Sequence, residues 1–207
     1  MALDNTWFTE ANPQDGLAFS LKITHKLWEE RSPWQHVEVY ATETFGNLLV
    51  IDGYIMLTER DNFLYHEMVA HPALFTHPAP RRVLIIGGGD CGTLREVLKH
   101  PEVQEATQVD IDEAVTRAAV QFFPALCAAN ADPRARLRFA DGIQWVKDAP
   151  AGRYDVIIVD STDPVGPAEG LFGEAFFRDC QRALGADGLL AQQSESPLLD
   201  LDSFLRP

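Results

Sequence analysis

The sequence predicts an α/β protein in which a doubly wound parallel sheet follows a small antiparallel β lobe. Three observations predict it. From Arg82 onward, short apolar strands alternate with helical segments, the pattern of a parallel sheet with right-handed crossovers. The first of those strands runs directly into Gly87-Gly88-Gly89-Asp90-Cys91-Gly92, a loop that lets backbone turn tightly and approach a ligand. Before residue 80 the apolar residues recur with period two instead, and Asp52-Gly53 divides two apolar runs as a hairpin turn does.

Each element follows in order. Leu17 to Ile23 and His36 to Glu43 alternate as half-buried strands, and Asn47 to Glu59 reads as a hairpin, so residues 1–60 form the β lobe. Asp61 to Phe75 reads as a helix with Asp61 as its cap and Pro72 kinking or breaking the last turn. It belongs to a connecting segment, residues 61–80. In residues 81–207, Val83–Ile86 is a strand and Thr93–His100 a helix stopped by Pro101. Ala106–Ile111 is the second strand, and Asp112 caps a helix that runs to Phe123. Leu137–Ala140, a short helix at 143–149, and Tyr154–Asp160 come next; the last is the most continuous apolar strand. A loop over 161–170, a helix over 173–184 closed by Gly185, and a fifth strand at 188–194 complete the pattern.

Bulk properties narrow the function classes. The chain has 207 residues and a formal net charge of −14, which argues against a phosphate-backbone binder or a surface that clings to anionic lipid. An acidic surface suits a cationic ligand, although charge alone also serves solubility. Cys91, Cys127 and Cys180 are far apart with no CxxC pair, which reads as reduced thiols in a cytoplasmic protein, not as a disulfide framework or zinc site. The acidic start MALDNTWFTE lacks the basic and apolar regions of a signal peptide, and no apolar run is long enough to span a bilayer. Neither nucleic acid nor membrane is an expected partner.

In an open parallel sheet, ligands sit outside the carboxyl ends of the strands. Four such ends carry chemistry. The glycine loop alone fits G-x-G-x-x-G, but Asp90 inside it would repel a pyrophosphate and suits a cation instead. Asp110 ends the second strand, where an acid accepts hydrogen bonds from ribose hydroxyls of nicotinamide and adenosyl cofactors alike. Asp141-Gly142 could read an adenine edge or simply make a strand-to-helix turn. Asp160 and Asp163 leave the most apolar strand together; they could flank an ammonium group, with Asp160 accepting its proton, or serve as cap and turn residues.

With these loops in order, the chain resembles the spermidine synthase family of polyamine aminopropyltransferases over nearly its whole length. GGGDCGTLREVLKHP is similar to the family's glycine-rich motif, with Cys91 where glycine is usual. DSTDPVGPAEGLF matches its signature loop, TERDNFLYHEM its helix-leading motif with Asn62 where an acid is common, and PWQHVEVY a strand that supplies a glutamine. The resemblance implies a methyltransferase-like Rossmann domain with C-terminal strands that this chain lacks. It implies no permanently bound cofactor and a co-substrate, decarboxylated S-adenosylmethionine. Gln35 and Asp90 would hold its aminopropyl arm, Gly87 and Gly89 would let backbone approach it, Asp110 would hold the ribose, Asp141 and Gly142 would read the adenine, and Pro167 would line the nucleoside pocket. Asp160 would be the catalytic acid/base group. Tyr65, His66 and Asp163, with Asp90 and Asp160, would bind putrescine or a related diamine. A homodimer or homotetramer is the implied assembly.

Other readings compete. A nicotinamide oxidoreductase rests on G-x-G-x-x-G and Asp110 and leaves DSTDP unexplained. A diamine N-methyltransferase differs only in donor, and a fragment that binds ligand without turnover is the third. His66-Glu67 followed by His71 is not a metal motif: residues five apart lie about 140° apart around a helix.

Overall fold

The computed structural model describes residues 3–13, 16–164 and 166–194, and the Pro167 side chain lies outside the described residues. Strands β1 (Trp7–Asn12), β2 (Leu17–Arg31), β3 (His36–Thr42), β4 (Asn47–Ile51) and β5 (Tyr54–Thr58) form one antiparallel sheet in sequence order. Asp52 and Gly53 both take positive φ, 52° and 88°, as a two-residue hairpin turn requires. Two features were not read from sequence. β1 is an additional edge strand, and β2 continues to Arg31, with register shifts between Ile23 and His25 and between Lys26 and Trp28. Such irregularities break the period-two signal along β2.

Helix α1 (Asn62–Thr76) leads to the second sheet. It continues through Pro72, contrary to the expected break in its last turn. Asp61 stands at the cap position but makes no capping bond; its Oδ1 accepts from Thr58 Oγ1 at 2.5 Å.

The second sheet contains β6 (Arg82–Gly87), β7 (Glu105–Asp110), β8 (Ala135–Phe139), β9 (Tyr154–Asp160) and β10 (Leu184–Gln192), all parallel, in the order β10-β9-β6-β7-β8. Strand order reverses between β6 and β9, so their carboxyl ends open the crevice where ligands bind in such sheets. The crossovers are α2 (Gly92–Leu98), α3 (Glu113–Phe122), α4 (Gly142–Asp148) and α5 (Glu174–Ala183). Two short 3-10 segments were not read from sequence: Leu126–Ala129, between α3 and β8, and Gly166–Phe172, which begins inside the expected loop. Gly185 does not cap α5; the chain leaves the helix at Leu184 in extended conformation and enters β10.

One core under the sheet gathers Val83, Ile85, Ile158 and Leu94 with Ala70 and Leu74 of α1. The other face packs Leu84, Ile157 and Val159 against Val146, Phe176 and Cys180. Burial of both faces explains the unbroken apolar runs of β6 and β9. A third cluster joins Val37, Val39 and Leu49 of the β lobe to Val115, Ala118 and Phe123. Ser32 Oγ donates to Asp112 Oδ2 at 2.6 Å, while Asp112 Oδ1 accepts from Ala114 N as the cap of α3. The lobe is thereby fixed over the carboxyl ends of β6 and β7.

Candidate active site

A cavity of about 380 Å³ lies at that crevice. The glycine loop forms its floor. Gly87 has φ +81°, and a Cβ there would strike the Asp160 carbonyl. A Cβ on Gly92 would enter the His66 ring. These contacts explain why the loop needs glycine at both places.

Asp160, at the end of β9, is buried and its carboxylate is held at both oxygens. Tyr65 Oη donates to Oδ1 at 2.6 Å and Thr93 Oγ1 to Oδ2 at 2.6 Å. Burial, then the nearby Asp90 charge, pushes its carboxyl above the ordinary range. Asp90 behaves oppositely. Burial is the largest single influence and raises its pKa, but the hydrogen bond and charge of His66, the Gly92 N–H and the Arg95 charge together outweigh it and hold the carboxyl low. His66 Nε2 lies 3.1 Å from Asp90 Oδ1, and Gly92 N donates to the same oxygen at 2.7 Å. Burial disfavours the His66 imidazolium, yet Asp90 raises its pKa overall.

Asp110 closes the far wall. Burial pushes it up to about 7, and the charges of Asp112, Asp160 and Asp90 act in the same direction. Its Oδ1 accepts from Asp112 N at 2.7 Å. Asp141 caps α4, accepting from Ile143 N and Gln144 N at 2.8 and 3.2 Å through Oδ1, which leaves Oδ2 for a ligand. Gln35 and Gly142 line the same cavity, as do Gly87 and Gly89. Asp163 lines it too and is held by Gln193 Nε2 at 2.7 Å. The expectation for Pro167 falls on a side chain outside the described residues; Ala168 and Leu171 of the same segment do face the cavity.

Comparison with known proteins places these residues in a family. The spermine/spermidine synthase domain matches residues 62–206, and the spermidine synthase tetramerisation domain matches residues 6–59. The chain belongs to the spermine/spermidine synthase family. A polyamine aminopropyltransferase of Thioalkalivibrio sulfidiphilus is 67% identical over 100% of this chain and 72% of its own length. Another from Methylococcus capsulatus is 68% identical over 94% of this chain and 68% of its own. A solved spermidine synthase in complex with the transition-state analogue AdoDATO matches with TM-score 0.93 and 37% identity, over 99% of this chain and 70% of that chain.

Family membership agrees with the fold expected from sequence and removes the nicotinamide reading. Sequence reasoning missed Thr93 and Gln193, the partners of Asp160 and Asp163. The hydroxyl directly after the glycine loop was the available signal for Thr93. It also missed a second polar cluster, in which Glu67, His71 and Glu96 bring ligand atoms within 4.8 Å of one another. Glu96 there is already balanced by Lys99 at 2.5 Å and Arg95 at 2.9 Å, so this is an ion-pair network between α1 and α2. His66 and His71 diverge, the first toward Asp90 and the second toward Glu96 at 3.3 Å. No helix of the described residues is long and apolar enough to cross a membrane.

Proposed function

We propose that this chain transfers the aminopropyl group of decarboxylated S-adenosylmethionine to putrescine, giving spermidine and 5′-methylthioadenosine. One observation carries the proposal. Six aspartates (Asp52, Asp90, Asp110, Asp141, Asp160 and Asp163) line the cavity, and among the described lining residues there is no lysine or arginine. Such a lining favours a donor that bears a sulfonium and an ammonium and an acceptor that is a dication.

Positions along the cavity support the following roles, and for Pro167 the family resemblance alone does. Asp110 takes the ribose hydroxyls, Asp141 and Gly142 the adenine edge, and Pro167 the nucleoside. Gln35 and Asp90 hold the aminopropyl arm, with Gly87 and Gly89 admitting the ligand close to backbone. Tyr65, His66 and Asp163 position the diamine beside Asp160. Asp160 accepts a proton from one ammonium of the diamine; its raised pKa brings it closer to the amine and suits it to that transfer. The freed amine attacks the methylene bonded to sulfur. As the new C–N bond forms, the C–S bond breaks and its electron pair returns to sulfur, leaving neutral methylthioadenosine. Holding two cationic reactants in line supplies much of the rate. The match of residues 6–59 to a tetramerisation domain supports action as a homodimer or homotetramer, and a cytoplasmic setting belongs to the same proposal.

Calorimetry with two donors tests the reading. Asp90 would face the carboxylate of S-adenosylmethionine, so the decarboxylated donor should bind at least about tenfold more tightly. Equal affinity for the two donors contradicts the proposal and favours methyl transfer.

A further inference from the structure

Cys91 occupies the residue of the glycine loop that enters α2 with φ 70°, a left-handed conformation that favours glycine. Its side chain points away from the cavity into a polar niche. Gln108 Nε2 approaches the Cys91 sulfur at 3.7 Å and Asn130 Nδ2 at 3.4 Å. The third neighbour is Cys127, in the 3-10 segment after α3. Cys127 Sγ reaches the Asp90 carbonyl at 3.8 Å, next to Cys91 in the chain, and Asn130, three residues after Cys127, is the donor to the Cys91 sulfur, so both thiols face one niche. Cys91 is buried and Cys127 only partly so, which leaves the pair open on the Cys127 side.

We propose that Cys91 and Cys127 form an oxidisable dithiol, a modification site that hydrogen peroxide converts into an intramolecular disulfide at the back of the glycine loop. The environment selects Cys91 as the attacking sulfur. The neighbouring Cys127 thiol, then the hydrogen bonds from Asn130 and Gln108, outweigh burial and lower its pKa, whereas Cys127 is raised by the same neighbour. The Cys91 thiolate attacks one peroxide oxygen and the O–O bond breaks. Hydroxide leaves and takes up the thiol proton as water, and Cys91 becomes a sulfenic acid. Cys127 sulfur then attacks Cys91 sulfur, and its proton departs with the displaced hydroxyl as a second water. Two thiols and one peroxide thus give one disulfide and two waters.

The bridge would act on the neighbouring site. Cys91 N donates to the Gly88 carbonyl at 2.8 Å, and Gly92 N holds Asp90 Oδ1. Drawing the Cys91 sulfur from Gln108 and Asn130 onto Cys127 therefore displaces the segment that carries Asp90. This consequence alone rests on the aminopropyl-transfer reading; the modification does not.

Cys180 supplies an internal control, since it lies in the opposite core and burial pushes its thiol up to about 12. The full chain is treated with limiting hydrogen peroxide, alkylated, and read by intact mass and peptide mapping. The expected product is about 2 Da lighter before alkylation, with Cys91 and Cys127 in one cross-linked peptide and Cys180 untouched. Dithiothreitol restores the starting mass. Cys91→Gly, which suits the left-handed backbone, and Cys127→Ser each abolish the product. Methylthioadenosine affinity of the oxidised chain falls about tenfold and recovers on reduction. Persistence of both free thiols, or the same product from Cys127→Ser, overturns the site. A bridged chain with unchanged nucleoside affinity overturns its effect on the loop.

Discussion

The Tyr65 hydroxyl donates to Asp160 Oδ1 across 2.6 Å, joining the first turn of α1 to the carboxyl end of β9. Thr93 holds the other oxygen from the start of α2. Three elements that are distant in sequence therefore set the direction and basicity of one carboxylate.

Removing the Tyr65 bond should change that basicity in a definite direction. Burial is the main force raising the Asp160 pKa, and the Tyr65 and Thr93 hydrogen bonds oppose it. Tyr65→Phe removes one opposing contact, so the pKa rises further. The acidic limb of the kcat/KM profile should move to higher pH. An unmoved limb would show that Tyr65 does not tune Asp160.

Asp160→Asn keeps the shape of the side chain and its acceptor oxygen but cannot take a proton. Turnover should fall by about 100-fold to 10,000-fold, while methylthioadenosine affinity changes little. Steady-state kinetics beside calorimetry separates the two effects. Near-normal turnover would remove Asp160 from the proton-transfer role.

Asp110 links binding to stability. Its carboxyl is pushed from an ordinary value of 3.8 up to about 7 in the fold. The fold therefore favours the neutral form, and the stability that this group contributes is complete below 3.8 and is lost as pH rises through about 7. Asp110→Asn is neutral throughout and keeps an acceptor for Asp112 N. Without ligand, it should exceed the parent chain in stability at pH 8 by roughly 1–4 kcal/mol, with the gap closing toward pH 4. The same change should weaken methylthioadenosine binding, because the ribose loses its anionic acceptor. Thermal midpoints across pH check the first statement, and a gap that does not vary with pH contradicts it.

Gly92→Ala tests the floor of the cavity. The added methyl enters the His66 ring, which must leave Asp90 or distort the start of α2. A loss of about 1–3 kcal/mol in denaturant unfolding is expected, typical of forcing extra volume into a packed site. A neutral substitution would mean that His66 is free to move.

Much of this arrangement is legible in sequence because it is local. Asp52-Gly53 announces its hairpin through the positive φ it needs, and Asp112 announces its helix through the cap it makes. The glycine loop and the aspartates at strand ends are placed by the rule that parallel strands end at a common crevice. Other features depend on contacts that no window of sequence contains. Thr93 matters because α2 starts beside β9, and Gln193 because β10 ends beside Asp163. Pro72 leaves α1 unbroken, and α1 is held on one side by Ala70, Ala73 and Leu74 in the core. Tertiary burial there overrides the local preference of proline. The stretch after α5 misled for a related reason. Leu184 turns into the sheet in extended conformation, so the glycine one residue later is not a cap.

The most direct measurement mixes the purified chain with decarboxylated S-adenosylmethionine and follows methylthioadenosine release by chromatography, with and without putrescine. Release that requires putrescine, accompanied by equimolar spermidine, is the predicted result. Tight methylthioadenosine binding with no putrescine-dependent release would contradict aminopropyl transfer by this chain.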